Sequence, residues 1–157
     1  MLLLLSCSDQ SISPEERDFN ILFRFGVGGR NELNTFQNTY TKDLILDGTR
    51  TVPLALSPDE LRAIESKLVE ADFFSYPDTF AVATEDSVLV SIDPHMTYFF
   101  RVRHHSIIKT LMWNESPLPT SSDPRLENLR RIVQFVMNIV EQRPEVQNLP
   151  PARGGYM

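Results

Sequence analysis

The chain predicts an α+β fold: an antiparallel sheet of about six strands, in the order β-β-β-α-β-β-β-α, covered by two amphipathic helices. Three observations predict it. Apolar residues alternate with period two in several short segments. Two other stretches open on a cap signal and carry apolar residues at helical spacing. The segments of alternating pattern are joined by short turns, which only antiparallel neighbours allow.

Residues 19–27, FNILFRFGV, open the sheet, with Phe19, Ile21, Phe23, Phe25 and Val27 on one face and Asn20, Leu22 and Arg24 on the other. GGRN at 28–31 reads as a turn, and 35–45, TFQNTYTKDLI, as the returning strand. Asp47-Gly48 turns the chain into a third strand at 49–56, where Pro53 lacks a ladder donor, so the strand is an edge or ends near there. Ser57-Pro58-Asp59-Glu60 is a complete helix start: serine caps, proline takes the first turn and glutamate reaches back. Leu61, Ile64, Leu68 and Ala71 then share one face of a helix over about 58–72, which Phe73, Phe74 and Tyr76 plug into the core.

The second half repeats the plan without repeating the sequence. Residues 87–92, SVLVSI, predict a strand, and Asp93-Pro94 a turn. Residues 97–103, TYFFRVR, predict another, with Tyr98, Phe100 and Val102 opposite Phe99, Arg101 and Arg103. His104, His105 and Ser106 form the next turn, and 107–113, IIKTLMW, pair back. Asp123-Pro124 opens a helix that carries Leu126, Leu129, Ile132, Val133, Val136, Ile139 and Val140 to about Gln142, before Pro144 closes it. The organisation is therefore 1–7 as the remnant of a leader, 8–18 as a tether, 19–143 as one domain and 144–157 as an aperiodic tail along the surface.

Composition limits the function. With 157 residues, 41% hydrophobic and 23% charged, the chain holds a real core. A net charge of −6 argues against nucleic acid, because a negative chain gains nothing from phosphates. No apolar run approaches the roughly 18 residues needed to span a bilayer.

The motifs for catalysis are thin. GVGG at 26–29 follows a strand, but no helix opens there, so a hairpin loop is expected and not a phosphate cradle; no cofactor is predicted. No GxSxG elbow accompanies the serines. Asp43, Glu85 and Asp86 have no spacing that pairs them. Arg125, Arg130 and Arg131 read as a solvated face of the last helix. His95, His104 and His105 are the metal-ligating candidates, with Asp86 or Asp93 nearby in sequence. Neighbouring strand residues point to opposite faces, so His104 and His105 converge only if the turn bends them. These three support an alternative reading as a metal-dependent hydrolase. The leading candidate for ligand binding is the GVGGRNELN loop, with Asn31, Glu32 and Asn34, together with Phe99 and Trp113 as outward aromatics.

The N-terminus carries the clearest functional signal. Leu4, Leu5, Ser6 and Cys7 resemble the end of a bacterial lipoprotein signal peptide, in which a leucine, two further residues and a cysteine mark cleavage and lipidation. The positive n-region is missing and the apolar block is short. Cys7 is the sole cysteine, so no disulfide competes for it, and the residues after it are polar. One acyl chain binds a membrane only marginally, whereas the two or three of lipoproteins hold firmly.

Longer stretches carry a second resemblance. FRFGVGGRNELNTFQNTYTKDLI at 23–45, LSPDEL at 56–61, ADFFSYPD at 71–78 and LPPARGGYM at 149–157 resemble segments of a group of uncharacterised bacterial lipoproteins, a domain of unknown function. Asn34 stands where that pattern has aspartate. The resemblance implies export and a lipid anchor on Cys7 and defines no activity. The expected protein is a non-enzymatic binding or interaction module of the bacterial cell envelope, held on a membrane and facing outside the cytoplasm. Its partner is the membrane and an unknown protein or small-molecule ligand. A structural, self-associating envelope component is the third reading.

Overall fold

The structure, a computed structural model, describes residues 12–80, 95–115 and 123–157. Among the described residues, six strands form one antiparallel sheet: β1 (Phe19–Phe25), β2 (Asn31–Asn34), β3 (Thr39–Asp43), β4 (Thr49–Pro53), β5 (Met96–His104) and β6 (Ile107–Glu115). Their spatial order is β4-β3-β2-β1-β5-β6, so the strand carrying Pro53 is an edge, as its missing donor requires. Two long helices, α1 (Pro58–Glu70) and α2 (Pro124–Glu141), are accompanied by a 3₁₀ turn at Phe73–Ser75 and a short α3 (Pro144–Gln147).

The register makes the core. One line of directly opposed residues, Val52, Tyr40, Leu33, Phe23, Phe100 and Leu111, crosses all six strands. Five of these are buried and Val52 packs against them. The next line, Thr51, Thr41, Glu32, Arg24, Phe99 and Met112, faces the other way. A sheet with one apolar face needs a cover, and Ile64 and Leu68 of α1 with Leu126, Leu129, Ile132 and Val136 of α2 supply it. Phe73 closes the gap with its ring edge-on to Phe100, centroids 5.5 Å apart. Among this packing, burial pushes the Tyr40 phenol up to about 12, with the Glu141 carboxylate adding to the shift.

Helix starts match the expected signals. Ser57 Oγ accepts from the Glu60 N–H at 3.2 Å, and Glu60 accepts from the Ser57 N–H at 2.7 Å. Such a cap contributes about 1 kcal/mol. Asp123 likewise caps α2, accepting from the Arg125 N–H at 2.9 Å. Arg143 then ties the helices together: its guanidinium donates to Glu60 at 3.1 Å and to the Ala55 carbonyl at 3.0 Å.

Four features differ from the sequence expectations. The returning strand expected over 35–45 shrinks to β3 at 39–43, and an additional strand precedes it: NELN at 31–34, overlapping the expected turn at 28–31, pairs with β1, and the chain turns at 35–38, where Asn38 takes φ 52°, before β3. This raises the number of strands ahead of α1 from three to four. The third expected strand stops short of 56, ending at Pro53 as the missing donor allowed; Leu54 and Leu56 are buried beyond its ladder. The tail is anchored, not merely laid on the surface. Val146 and Leu149 join the core, Arg153 pairs with Asp47 at 2.6 Å, and the Tyr156 hydroxyl donates to Asp43. The Arg153 guanidinium holds the Asp47 carboxyl below its usual range. Residues 13–18 of the expected tether are also held: the Pro14 carbonyl accepts from Asn20 at 2.7 Å, and Arg17 donates to Asn38 at 3.2 Å. The strand expected at 87–92 and its Asp93-Pro94 turn lie outside the described residues.

Candidate functional site

The chemistry-bearing residues meet where β1 begins, β5 ends and α1 passes overhead. Position 104 lies opposite Phe19 in the β1–β5 ladder, on the core-facing side of β5 with Tyr98, Phe100 and Val102. At the strand end the core gives way to solvent, and a half-buried histidine occupies the boundary. The His104 ring stacks on Phe74, centroids 4.8 Å apart and 23° between planes. Its Nε2 stands 3.2 Å from Glu65 Oε1, which projects from α1 one residue beyond the buried Ile64.

His105 starts the two-residue loop of the β5–β6 hairpin, with φ 54°. That backbone turn undoes the alternation that would send consecutive side chains to opposite faces. The two imidazoles come to 4.6 Å between centroids. Donor atoms of Glu65, His104 and His105 all lie within 4.8 Å of one another. A second carboxylate reaches the same corner, with Asp18 Oδ2 3.8 Å from His105 Nδ1. The hairpin tip is fixed to β1 by a hydrogen bond from the His105 N–H to the Asp18 carbonyl, 2.7 Å.

Glu65 and Asp18 also border a groove of about 680 Å³ between the 12–19 segment, the 55–58 connection and α1. Its volume is in the range of small-molecule sites. Ile12, Phe19, Leu56 and Leu61 contribute apolar surface, and Arg17, Arg62 and Arg143 contribute cations. The Nε of Arg143 is buried and has no hydrogen-bond partner among the described residues.

The expected ligand-binding residues lie away from this corner, and four of the five make contacts within the fold. Asn31, Glu32 and Asn34 form strand β2, not a loop. Asn31 bridges β1 to β3, donating to the Phe25 carbonyl at 3.2 Å and accepting from the Asp43 N–H at 2.9 Å. Glu32 pairs with Arg24 at 2.7 Å, and Asn34 is buried beside Gln37. Trp113 faces the core and is buried, stacked on Tyr98 at 4.8 Å. Phe99 does face outward, beside Arg24 and Met112.

Of the three candidate histidines, the structure joins His104 and His105 only. His95 precedes the other end of β5, nine residues away, or about 30 Å along a strand. Asp86 and Asp93 lie outside the described residues, as does Cys7. Asp43 holds the tail, accepting from Tyr156 and standing 4.0 Å from Arg30. The arginines of α2 are paired: Arg125 with Asp123, Arg130 with Glu115 and Glu127, Arg131 with Glu127. Among the described residues no helix is long and apolar enough to cross a membrane.

No protein-family model matches the chain, and no curated protein matches it. Glu65 is the member of the cluster that sequence reasoning missed. Its signal is weak: an acid next to an apolar helix position, about forty residues before the histidines in the chain.

Proposed function

We infer that the protein is a lipid-anchored binding module of the bacterial cell envelope, attached through Cys7 and taking a small ligand in the groove beside α1. The groove is the observation that carries the binding half of this reading. It joins apolar residues to charged ones of both signs, which suits a ligand with an apolar body and a polar end. The anchoring half rests on the Leu-Leu-Ser-Cys sequence. Ile12, at the groove, is five residues after Cys7, so no more than about 18 Å of extended chain separates them. A ligand collected there would be held close to the membrane surface.

Two measurements test the reading. Cells grown with radioactive fatty acid should label the protein, and Cys7→Ala should abolish the label; label that persists in the variant removes the anchor. For the groove, anilinonaphthalene sulfonate fluorescence should rise on adding the protein. Ala55→Trp, at an exposed position on the groove wall, should cut that rise about tenfold by occlusion. An unchanged rise would mean that the dye, and the binding reading, belong elsewhere.

A further inference from the structure

We propose that Glu65, His104 and His105 form a binding site for a zinc-type divalent cation at the edge of the groove. The donor set is the first argument. Two imidazoles and a carboxylate are ligands that zinc and its neighbours in the transition series accept, whereas magnesium and calcium prefer oxygen alone. Three protein donors leave a fourth coordination position, as in zinc sites that bind an exchangeable molecule.

Geometry is the second argument. Ligand atoms bound tetrahedrally at about 2.1 Å stand about 3.4 Å from one another. His104 Nε2 and Glu65 Oε1 are already 3.2 Å apart. The third donor lies within 4.8 Å of both, and its side chain is 65% exposed at a hairpin tip, so rotation closes the difference without repacking the core. The stack on Phe74 fixes the plane of the His104 ring, and α1 fixes the origin of Glu65. These are the supports that a pre-organised site needs.

A plain ion pair between His104 and Glu65 accounts for two of the three residues and not for the third. The turn places its first loop residue at positive φ, where glycine or asparagine is the least strained choice. A histidine stands there instead, with its ring beside His104. Asp18, at 3.8 Å from His105 Nδ1, adds a carboxylate that lowers the cost of bringing a dication to this corner. The site depends on neither the lipid anchor nor an organic ligand in the groove.

The test uses the full chain with Cys7→Ala, which removes the sole thiol. Zinc chloride is titrated in competition with a chromophoric chelator. The expected result is one equivalent bound with micromolar or tighter affinity. His104→Ala, His105→Ala and Glu65→Gln should each weaken it about tenfold or more, and His95→Ala should leave it unchanged. Glu65→Gln keeps a good helix former at a partly exposed position, so circular dichroism should show a native fold and isolate the loss of the ligand. Absence of the tight equivalent overturns the proposal. So does wild-type affinity in folded Glu65→Gln, and so does a loss on His95→Ala, which would place the ion elsewhere.

Discussion

Phe23→Ala should lower the stability of the domain by about 4 kcal/mol. Phe23 is fully buried at the centre of the line of residues that crosses the sheet. Its ring stacks on Phe100 with centroids 4.3 Å apart and on Phe25 at 4.9 Å. Removing it deletes apolar contact on three sides, and the neighbours cannot fill the space. Leu33 and Phe100 are held by ladders on either side, and Phe73 is held from above by the 3₁₀ turn. The loss is a transfer term plus a cavity term, which for a buried phenylalanine runs to about 3–5 kcal/mol. Domains are stable by about 5–15 kcal/mol in total, so a large part of the protein would unfold at modest denaturant. Urea titration followed by the fluorescence of Trp113, itself in the core, gives the number. Phe99→Ala is the control on the neighbouring strand: its ring faces outward beside Arg24, and its loss should cost less than about 1 kcal/mol. Similar losses for the two variants would mean that the sheet does not bury the face described.

The inner-face phenylalanines also show which parts of this fold sequence reasoning reaches. Alternation in β1 and β5 puts Phe23 and Phe100 on the inner face by local geometry alone. Ser57-Pro58-Asp59-Glu60 likewise carries its helix start within four residues. Strand β2 is different. NELN has one buried apolar residue, Leu33; ladders to β1 and β3 hold it in the sheet, and the amide of Asn31 adds a bond to each of those strands. Nothing periodic announces such a strand, and reading 28–31 as a turn puts Asn31, Glu32 and Asn34 into a binding loop.

Trp113 shows how small an error in a turn suffices. A three-residue turn over 104–106 would set Arg103 against Ile107 and send Trp113 outward with Phe99. The actual loop has two residues, 105 and 106, which opposes His104 to Ile107 and Tyr98 to Trp113. One residue of register reverses every side chain of β6. The histidine pair is legible in the sequence only as a condition, because its convergence depends on the φ of His105. Its partner Glu65 comes from α1 and meets the pair only through the tertiary fold.

A second large effect arises at a polar pair that alternation assigns to the solvent side. Thr35→Val should cost about 3 kcal/mol, although the two side chains have nearly the same volume. Thr35 and Asn20 are both fully buried. The Thr35 hydroxyl accepts from the Ile21 N–H at 2.8 Å and lies 3.1 Å from Asn20 Oδ1 and 3.2 Å from the Ile21 carbonyl as donor. It replaces a ladder partner at the point where β2 turns away from β1. Valine fills the space and leaves the Ile21 N–H without its acceptor and Asn20 Oδ1 without its donor. Each orphaned buried group costs about 1–3 kcal/mol. Thr35→Ser keeps the hydroxyl and loses one methyl, so it should cost only about 1 kcal/mol. The contrast between valine and serine separates the hydrogen bonds from packing. Asn20 also donates to the Pro14 carbonyl at 2.7 Å, which ties down the segment that walls the groove. Hydrogen exchange in Thr35→Val should therefore accelerate at Ile21, where the acceptor is lost. A valine variant within about 0.5 kcal/mol of the parent would show that water or a backbone shift satisfies these groups instead.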